Sequence, residues 1–332
     1  MTIADHNRES CESAAAASVH VIVLNWNGIE DTLGCVDSLG RLRTPPGTDV
    51  TLVVVDNGSE ESPRSRIEAA YAGVEVVENP TNLGYSGGNN VGIERALSRG
   101  AAYVWILNND TTVDAAALAA LLDTATRHPR AGAVGGKVLR SDRPDTLWVA
   151  WGRVTWLQSL IALDGKDRRD GPEFDVERAV EWIPGCSILF RADALREIGG
   201  FDEGFFAYHE DVDWAARARA AGWELWYNGA SVIRHAVHAS SGGETLSYTG
   251  FRSYLSARNS VLYARRHGSA WQQLRMAVAI LATLPFQYLR RGMRGQSRGV
   301  WMKLRGWRDA LAGNPLPLED LGLRSGRQKP PG

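Results

Sequence analysis

From residue 19 to about 140 the chain repeats one pattern: a short apolar run that stops abruptly in polar residues, then a stretch with helical spacing. The runs are Val19 to Asn25, Thr51 to Val55, Val74 to Val77 and Tyr103 to Leu107. Short apolar runs of this kind suit strands buried on both faces, and strands spaced by helices pair in parallel. The expected fold is α/β, a single Rossmann-like, mostly parallel mixed sheet flanked by helices. Helix-like sequence follows the first run through Ser38, and a Gly/Asn-rich loop, Asn82 to Asn90, leads into a helix through Leu97. Open sheets of this kind bind ligands beyond the carboxyl ends of their strands, so the polar residues that close each run carry the functional information.

The second half is less regular. Residues 141–181 mix Trp148, Trp151 and Trp156 with many charges and fit neither period. Trp182 to Phe190 reads as another buried strand, and Trp223 to Ile233 as a strand or hairpin before a His-rich loop. Helical periodicity dominates after Phe251, and Arg324 to Gly332 reads as a flexible tail. The expected organisation is a disordered lead over 1–18, a main domain over 19–248 with halves 19–140 and 141–248, a basic helical region over 249–313 and a flexible tail over 314–332.

Charge narrows the partners. The net charge is −1, yet Arg252 to Arg308 holds twelve Lys or Arg residues and no Asp or Glu. Such a region favours an anionic surface, nucleic acid or the inner leaflet of a membrane. Its longest uncharged stretch, Met276 to Leu289, is too short to span a bilayer and contains Pro285. Arg275 and Arg290-Arg291 flank it, with Trp271, Trp301 and Trp307 nearby. That fits an interfacial helix, or an ordinary helical subdomain with a solvated basic face. No RNA or DNA motif accompanies the charge, so a nucleic-acid partner is not expected. Three cysteines without paired spacing (Cys11, Cys35, Cys186) and a polar, acid-containing N-terminus point to a reducing, cytoplasmic compartment.

The strand ends supply the candidate site. Asn108-Asn109-Asp110 places the first charge after the fourth run, where a carboxylate can hold a hard cation, although Asn-Asn-Asp is also good turn chemistry. Asp56, in Asp56-Asn57-Gly58-Ser59, reads as a turn carboxylate or as an acceptor for a base N–H or ribose hydroxyl. Glycines in the Asn82 loop allow close backbone approach to an anion, but the loop matches neither the Walker A nor the dinucleotide pattern. Further on, Phe205-Phe206-Ala207-Tyr208-His209 leads into Glu210-Asp211-Val212-Asp213. Helix capping explains one or two of these acids. Aromatic walls beside a carboxylate suit a sugar, and a carboxylate beside an alcohol can serve as its general base. His235 and His238 bracket the start of a loop and read either as surface residues or as metal or phosphate contacts.

Taken in order, these segments resemble the family 2 inverting glycosyltransferases of GT-A type, especially their bacterial rhamnosyltransferase-like branch. The matching pieces include Val21 to Gly28, Val54 to Ser59, Asn82-Leu83-Gly84 with Gly87-Gly88-Asn89, and Leu107 to Asp110. Gly185 with Phe190-Arg191, Gly199 to Glu203, His209 to Asp213, His235 with Ser240 to Gly243, and Arg258-Asn259 complete the set, across roughly residues 19–313. The resemblance implies a GT-A catalytic domain over 19–248, with a nucleotide-binding half, 19–140, an acceptor-binding half, 141–248, and a C-terminal helical extension, together with a nucleotide-diphosphate sugar donor and a hydroxyl acceptor, lipid-linked or glycan. It also implies that Asp56 contacts the base, with Leu24, Asn25, Trp26, Asn27, Gly58, Asn82, Gly84, Gly87, Gly88, Asn89, Asn108 and Asn109 around the nucleotide. Asp110, completed by His235, would hold Mg2+ or Mn2+, and Arg258 would help neutralise the diphosphate. Asp211 would be the general base, with Glu210 positioning the acceptor or tuning Asp211.

One departure stands out. Many members carry Asp-x-Asp where this chain has Asn108-Asn109-Asp110, so weak metal binding without the nucleotide is expected. The resulting expectation is a cytoplasmic enzyme, peripheral on the inner membrane face through residues 252–308, that transfers L-rhamnose from dTDP-rhamnose; UDP- and GDP-sugars are the alternative donors. A homo-oligomer is compatible with it. A sugar nucleotidyltransferase is disfavoured because no basic residue follows Asn25-Trp26-Asn27-Gly28 until Arg41. A non-catalytic binding module would have no need of Glu210-Asp211 together with Asp110.

Overall fold

The structure is a computed structural model and describes residues 17–236, 250–293 and 297–323. Strands β1 (Ala17–Asn25), β2 (Thr48–Asp56), β3 (Glu75–Glu78) and β4 (Tyr103–Asn108) pair in parallel, in the order β3-β2-β1-β4. Between them lie helices α1 (Ile29–Leu39), α2 (Arg64–Ala70) and α3 (Gly84–Ser98). Both faces of these strands are covered. Val21, Val23, Trp105 and Leu107 face a core that includes Cys35 and Val36 of α1, while Ile22, Leu24, Val104 and Ile106 face the core shared with Ile93 of α3. Burial on two sides is why the runs are apolar throughout and do not alternate.

The chain then adds β5 (Thr111–Val113), α4 (Ala117–Arg127), β6 (Ala131–Arg140), β7 (Leu147–Val149) and the hairpin β8 (Gly152–Val154) and β9 (Ile161–Leu163). It continues through β10 (Glu177–Ala179), β11 (Ser187–Arg191), α5 (Ala192–Ile198), α6 (Glu210–Ala220) and β12 (Glu224–His235). β11 inserts antiparallel between β4 and β6, and β12 runs parallel to β6, so the sheet order is β10-β12-β6-β11-β4-β1-β2-β3. This is the mixed GT-A-like sheet that was expected. Three helices extend it: α7 (Phe251–His267), α8 (Ala270–Gly292) and α9 (Ser297–Ala312).

Several local expectations need correction. The Gly/Asn-rich segment is not a loop, since α3 begins at Gly84. Its glycines serve helix-on-sheet packing: a Cβ on Gly88 would lie 2.6 Å from Leu24 Cδ1. Trp182 to Phe190 is a strand only from Ser187, and Trp182 instead bridges Gly152, with its ring where a Cβ would stand. Trp223 to Ile233 forms no hairpin; β12 is one long strand with a register shift between Asn228 and Val232. The lead ends two residues early, because Ala17 and Ser18 already pair with β2. Residues 314–323 are not a free tail, since Leu321 and Leu323 are buried against Tyr254 and Leu255 of α7. Trp307 is also buried, against α7, whereas Trp271 and Trp301 are exposed. His238, Ser240 to Gly243 and the Arg324 to Gly332 tail lie outside the described residues.

Gly58 marks the tightest turn beneath the strand ends. Its φ is 73°, and a Cβ there would lie 2.4 Å from the Thr81 carbonyl carbon. Gly73 has φ 86° with nothing within 4 Å of its would-be Cβ. Gly58→Ala is expected to destabilise by ~2 kcal/mol or more, and Gly73→Ala by ~1 kcal/mol, from its conformation alone. Urea unfolding midpoints of the two variants check this; equal shifts contradict the packing argument.

Candidate active site

The parallel register sets Asn25 beside Asp56, and Leu24 beside Asn108, on one edge of the sheet. At that edge polar side chains bind one another first. Asn25 Nδ2 donates to Asp56 Oδ1 at 2.9 Å and to Ser59 Oγ at 3.1 Å, and Ser59 Oγ donates to Asp56 Oδ1 at 2.5 Å. Asn27, in the left-handed region at φ 53°, donates its N–H to Ser59 Oγ and accepts from Glu60 N–H. Asp56 is fully buried and does not line the cleft. Asn57 is a hub that nothing in its sequence context marked. Its Nδ2 donates to Asn82 Oδ1 and to the Gly84 carbonyl, both at 2.9 Å, while its Oδ1 accepts from Asn79 and from Leu83 N–H.

Above this network lies a cleft of ≈ 150 Å³. Leu24, Trp26, Asn82, Gly84, Asn108 and Asn109 line it, as expected from the sequence; Asn57, Tyr85, Phe206, Tyr208, Phe251 and Leu323 complete it. The aromatics before His209 were a legible signal for Phe206 and Tyr208. Nothing in the sequence marked Leu323, whose carbonyl accepts from Asn82 Nδ2 at 3.1 Å. Asn25, Asn27, Gly58, Gly87, Gly88 and Asn89 do not line it, nor do Asp110, Glu210, Asp211 and His235. Arg258 is also elsewhere: its Nη1 donates to the Gly204 carbonyl at 2.9 Å and to Asn259 Oδ1 at 3.0 Å.

At the end of β4, Asn109 Nδ2 donates to the Gly28 carbonyl at 3.0 Å and to Thr32 Oγ1 at 3.1 Å, tying this strand end to the β1–α1 turn. Asp110 Oδ1 lies 3.0 Å from His235 Nε2, at the end of β12, and Trp148 stands edge-on to the imidazole at 4.6 Å between centroids. Burial pushes the Asp110 carboxyl up, but His235, together with the Asp110 backbone N–H and Asn108, outweighs it and holds the carboxyl below its usual value. Asn108 Oδ1 and His235 Nδ1 are buried with no hydrogen-bond partner among the described residues. A hard cation fits here only as an open site, with one carboxylate, one imidazole and one amide oxygen in reach. No group of three His, Cys, Asp or Glu able to hold a metal occurs among the described residues.

The second pair of carboxylates opens α6. Asp211 Oδ2 accepts the Gly185 N–H and Oδ1 accepts the Val212 N–H, each at 2.8 Å. Burial pushes its carboxyl up to about 6 against the lowering effect of those two donors. Glu210 is raised well above the carboxylate range, by burial and then by the Asp211 charge, and its Oε2 has no hydrogen-bond partner among the described residues. Asp213 plays a structural part, binding Arg217 and His267 at 2.8 Å each and so fastening α6 to α7. Tyr85 donates to the Gly185 carbonyl at 2.6 Å, and Asn108 N–H donates to the Cys186 carbonyl at 3.0 Å. Gly185-Cys186 thus joins Asp211 to the end of β4. The Cys186 thiol is driven up by burial, then by the charges of Asp110 and Asp211.

The approach to α6 is strained. Phe206, Tyr208 and His209 hold φ of 62°, 69° and 71°, a region that costs a non-glycine residue on the order of 1–3 kcal/mol. Burial lowers the His209 pKa to about 4, so its ring is neutral at pH 7. His209, Glu210 and Asp211 are thus three adjacent groups at the start of α6 that burial shifts from their ordinary pKa values, the kind of cluster found at functional sites.

A family model described as Glycosyl transferase family 2 matches residues 19–199. An N-acetylglucosaminyl-diphospho-decaprenol L-rhamnosyltransferase of Mycobacterium tuberculosis is 31% identical over 263 residues, covering 70% of this chain and 81% of the relative. A mannosyltransferase from Pyrobaculum calidifontis, solved with GDP-Man and Mn2+, is similar at a TM-score of 0.55 and 18% identity, over 88% of this chain and 86% of that one. GalNAc-T7, solved with UDP, GalNAc and Mn2+, is similar at a TM-score of 0.55 and 14% identity, over 90% and 59%. At these identities the two structures speak for the fold.

Proposed function

The chain belongs to glycosyl transferase family 2, and we propose that it moves L-rhamnose from dTDP-L-rhamnose to a hydroxyl of a lipid-linked or polysaccharide acceptor by one inverting displacement. Its glycosyltransferase activity on a sugar-nucleotide donor rests on the family; the sugar and the acceptor rest on the likeness to the mycobacterial rhamnosyltransferase. The observation that carries the mechanism is Asp211, recessed at a helix start, raised to about 6 and held by the Gly185 N–H. Such a carboxylate is deprotonated at neutral pH yet basic enough to accept a proton as an alcohol attacks. In this reading Asp211 takes the acceptor hydroxyl proton, the oxygen bonds to the anomeric carbon, and the bond to the nucleoside diphosphate breaks on the opposite face. Glu210, whose carboxyl burial and the Asp211 charge push up, is suited to hold a proton and donate a hydrogen bond to the acceptor. Trp26, Tyr208 and Phe206 supply apolar walls for the donor's rings. Asp56 acts on the base side through Asn25 and Ser59.

Asp110 and His235 would hold Mg2+ or Mn2+, which supplies charge neutralisation for the leaving diphosphate. With so few protein ligands, the cation depends on the donor for the rest of its shell. Two outcomes are expected. Asp211→Asn lowers kcat by ~10³-fold or more while dTDP affinity stays within about threefold, and in the wild type kcat/KM falls about tenfold per pH unit below about 6 and is flat above it. Full turnover in Asp211→Asn removes the base. Isothermal titration of Mn2+ gives measurable affinity only with dTDP present, and Asp110→Ala weakens it at least about tenfold; equal affinity without dTDP, or in the variant, removes the cation assignment.

Membrane association completes the reading. No helix among the described residues is long and apolar enough to cross a membrane. α8 nevertheless exposes Trp271, Leu274, Val278 and Leu281 at helical spacing, Trp271 and Leu281 each at 70%, with Arg275 and Arg290 exposed on its flanks. An apolar stripe between basic residues suits the surface of an anionic bilayer, where each positive charge contributes about 1 kcal/mol. The protein is expected to sediment with phosphatidylglycerol vesicles at low salt, and Leu281→Glu to release it. A wild type that stays in the supernatant contradicts docking.

A further inference from the structure

Asn259, on α7, is fully buried and lies beside the strained approach to α6. Its Nδ2 donates to three carbonyls, of Phe205, Ala207 and Tyr208, each at 2.8 Å. Two N–H bonds are therefore shared among three acceptors. Its Oδ1 accepts from Arg258 Nη1 at 3.0 Å, which fixes which end of the amide faces the loop. Arg258 is itself braced on the Gly204 carbonyl, one residue before Phe205. These contacts span the segment in which Phe206, Tyr208 and His209 are left-handed, and that segment ends on Glu210 and Asp211. Without donors at those carbonyls, non-glycine residues relax out of the left-handed region. The carbonyls face the buried amide, so water cannot replace it without opening the recess.

We propose that Asn259 is the positioning residue of the base: it clamps the Phe205–Tyr208 backbone so that Glu210 and Asp211 enter the site recessed from water, with Arg258 orienting the clamp. This rests on the assignment of Asp211 as base. Asn259 touches neither donor nor acceptor; it acts by fixing where α6 begins. The same strained turn is gripped from the other side, where the Phe206 carbonyl accepts the Ser86 N–H of α3 at 3.0 Å, so the donor wall and the base share one anchored segment. Relaxing the clamp therefore lets the base hydrate and drift and loosens the Phe206–Tyr208 wall, while the floor of the cleft, held by Asn57 and Asn82, stays in place. The ionisable groups around Asp211 are Glu210 and Asp213 on α6, His209 before it, Tyr85 on α3 and Cys186 before β11. Asp213 keeps its Arg217 and His267 partners when Asn259 is changed.

The test compares Asn259→Ala and the milder Asn259→Ser with the wild type, using dTDP-L-rhamnose and a prenyl-diphosphate-linked N-acetylglucosamine, with dTDP titration to count folded, binding-competent protein. The expected result for Asn259→Ala is a kcat at least about 50-fold lower per binding-competent molecule, a smaller loss of dTDP affinity, at most about tenfold, from the loosened Phe206–Tyr208 wall, and an acid limb of kcat/KM moved down from about 6 toward ordinary carboxylate values. Asn259→Ser should lie between. A kcat and an acid limb equal to the wild type overturn the proposal. So does failure of both variants to bind dTDP, which makes Asn259 a determinant of the fold. Turnover retained in Asp211→Asn removes the base assignment itself, whereas a dead Asp211→Asn beside a normal Asn259→Ala removes only the clamp.

Discussion

The 2.8 Å hydrogen bond from the Gly185 N–H to Asp211 joins two parts of the molecule that are well separated in sequence. Gly185 and Cys186 lead into β11, the strand that runs antiparallel beside β4, and Cys186 accepts from Asn108 N–H at the end of that strand. Two residues of backbone therefore fix Asp211 relative to the edge where Asp110 meets His235. A Cβ on Gly185 would make only ordinary contacts, 3.4 Å from Asp211 Oδ2 and 3.5 Å from the Tyr85 hydroxyl, so it is the backbone of this turn that matters. Displacing that backbone would separate the two carboxylate centres.

Polar residues at the strand ends divide into those that hold the edge together and those left with open valences. Asn25, Asp56, Ser59, Asn57 and Asn82 satisfy one another, which makes a rigid floor of hydrogen bonds beneath the cleft. Asn108 Oδ1, His235 Nδ1 and Glu210 Oε2 are buried without partners among the described residues. Buried polar atoms without partners are costly and occur elsewhere too, on Trp182, Ser231 and Trp307 among others, so it is the position of these three at residues assigned to the cation and the acceptor that suits a ligand. The strain in Phe206, Tyr208 and His209 falls beside the same edge.

How much was legible in the sequence follows from how far apart the determining contacts lie. The four parallel strands were readable because burial on both faces writes an apolar run into each of them. Residues 141–181 were not, since β7, the β8–β9 hairpin and the edge strand β10 are three-residue pieces held by distant partners such as Trp182 on Gly152. Asp211 and Glu210 were visible as acids at a helix start with aromatics before them. Their recess was not, because it depends on Asn259, about fifty residues later in the chain. The glycines of α3 show the opposite failure: a composition that suits an anion-binding loop instead admits Leu24 and Ile22 against the helix. Arg258 was expected at the diphosphate from the family resemblance, whereas in the structure its Nη1 donates to the Gly204 carbonyl.

With Asp211 as the base and no carboxylate among the described residues lining the cleft to attack the sugar, the chemistry proposed is a single displacement. The most direct measurement is the anomeric configuration of the product formed from dTDP-β-L-rhamnose, read from the one-bond carbon–hydrogen coupling at C1 by NMR. An α-linked rhamnoside is expected, formed with inversion and without a β-linked precursor. A β-linked product would contradict the single displacement, because retention requires either a covalent intermediate or attack from the leaving-group face.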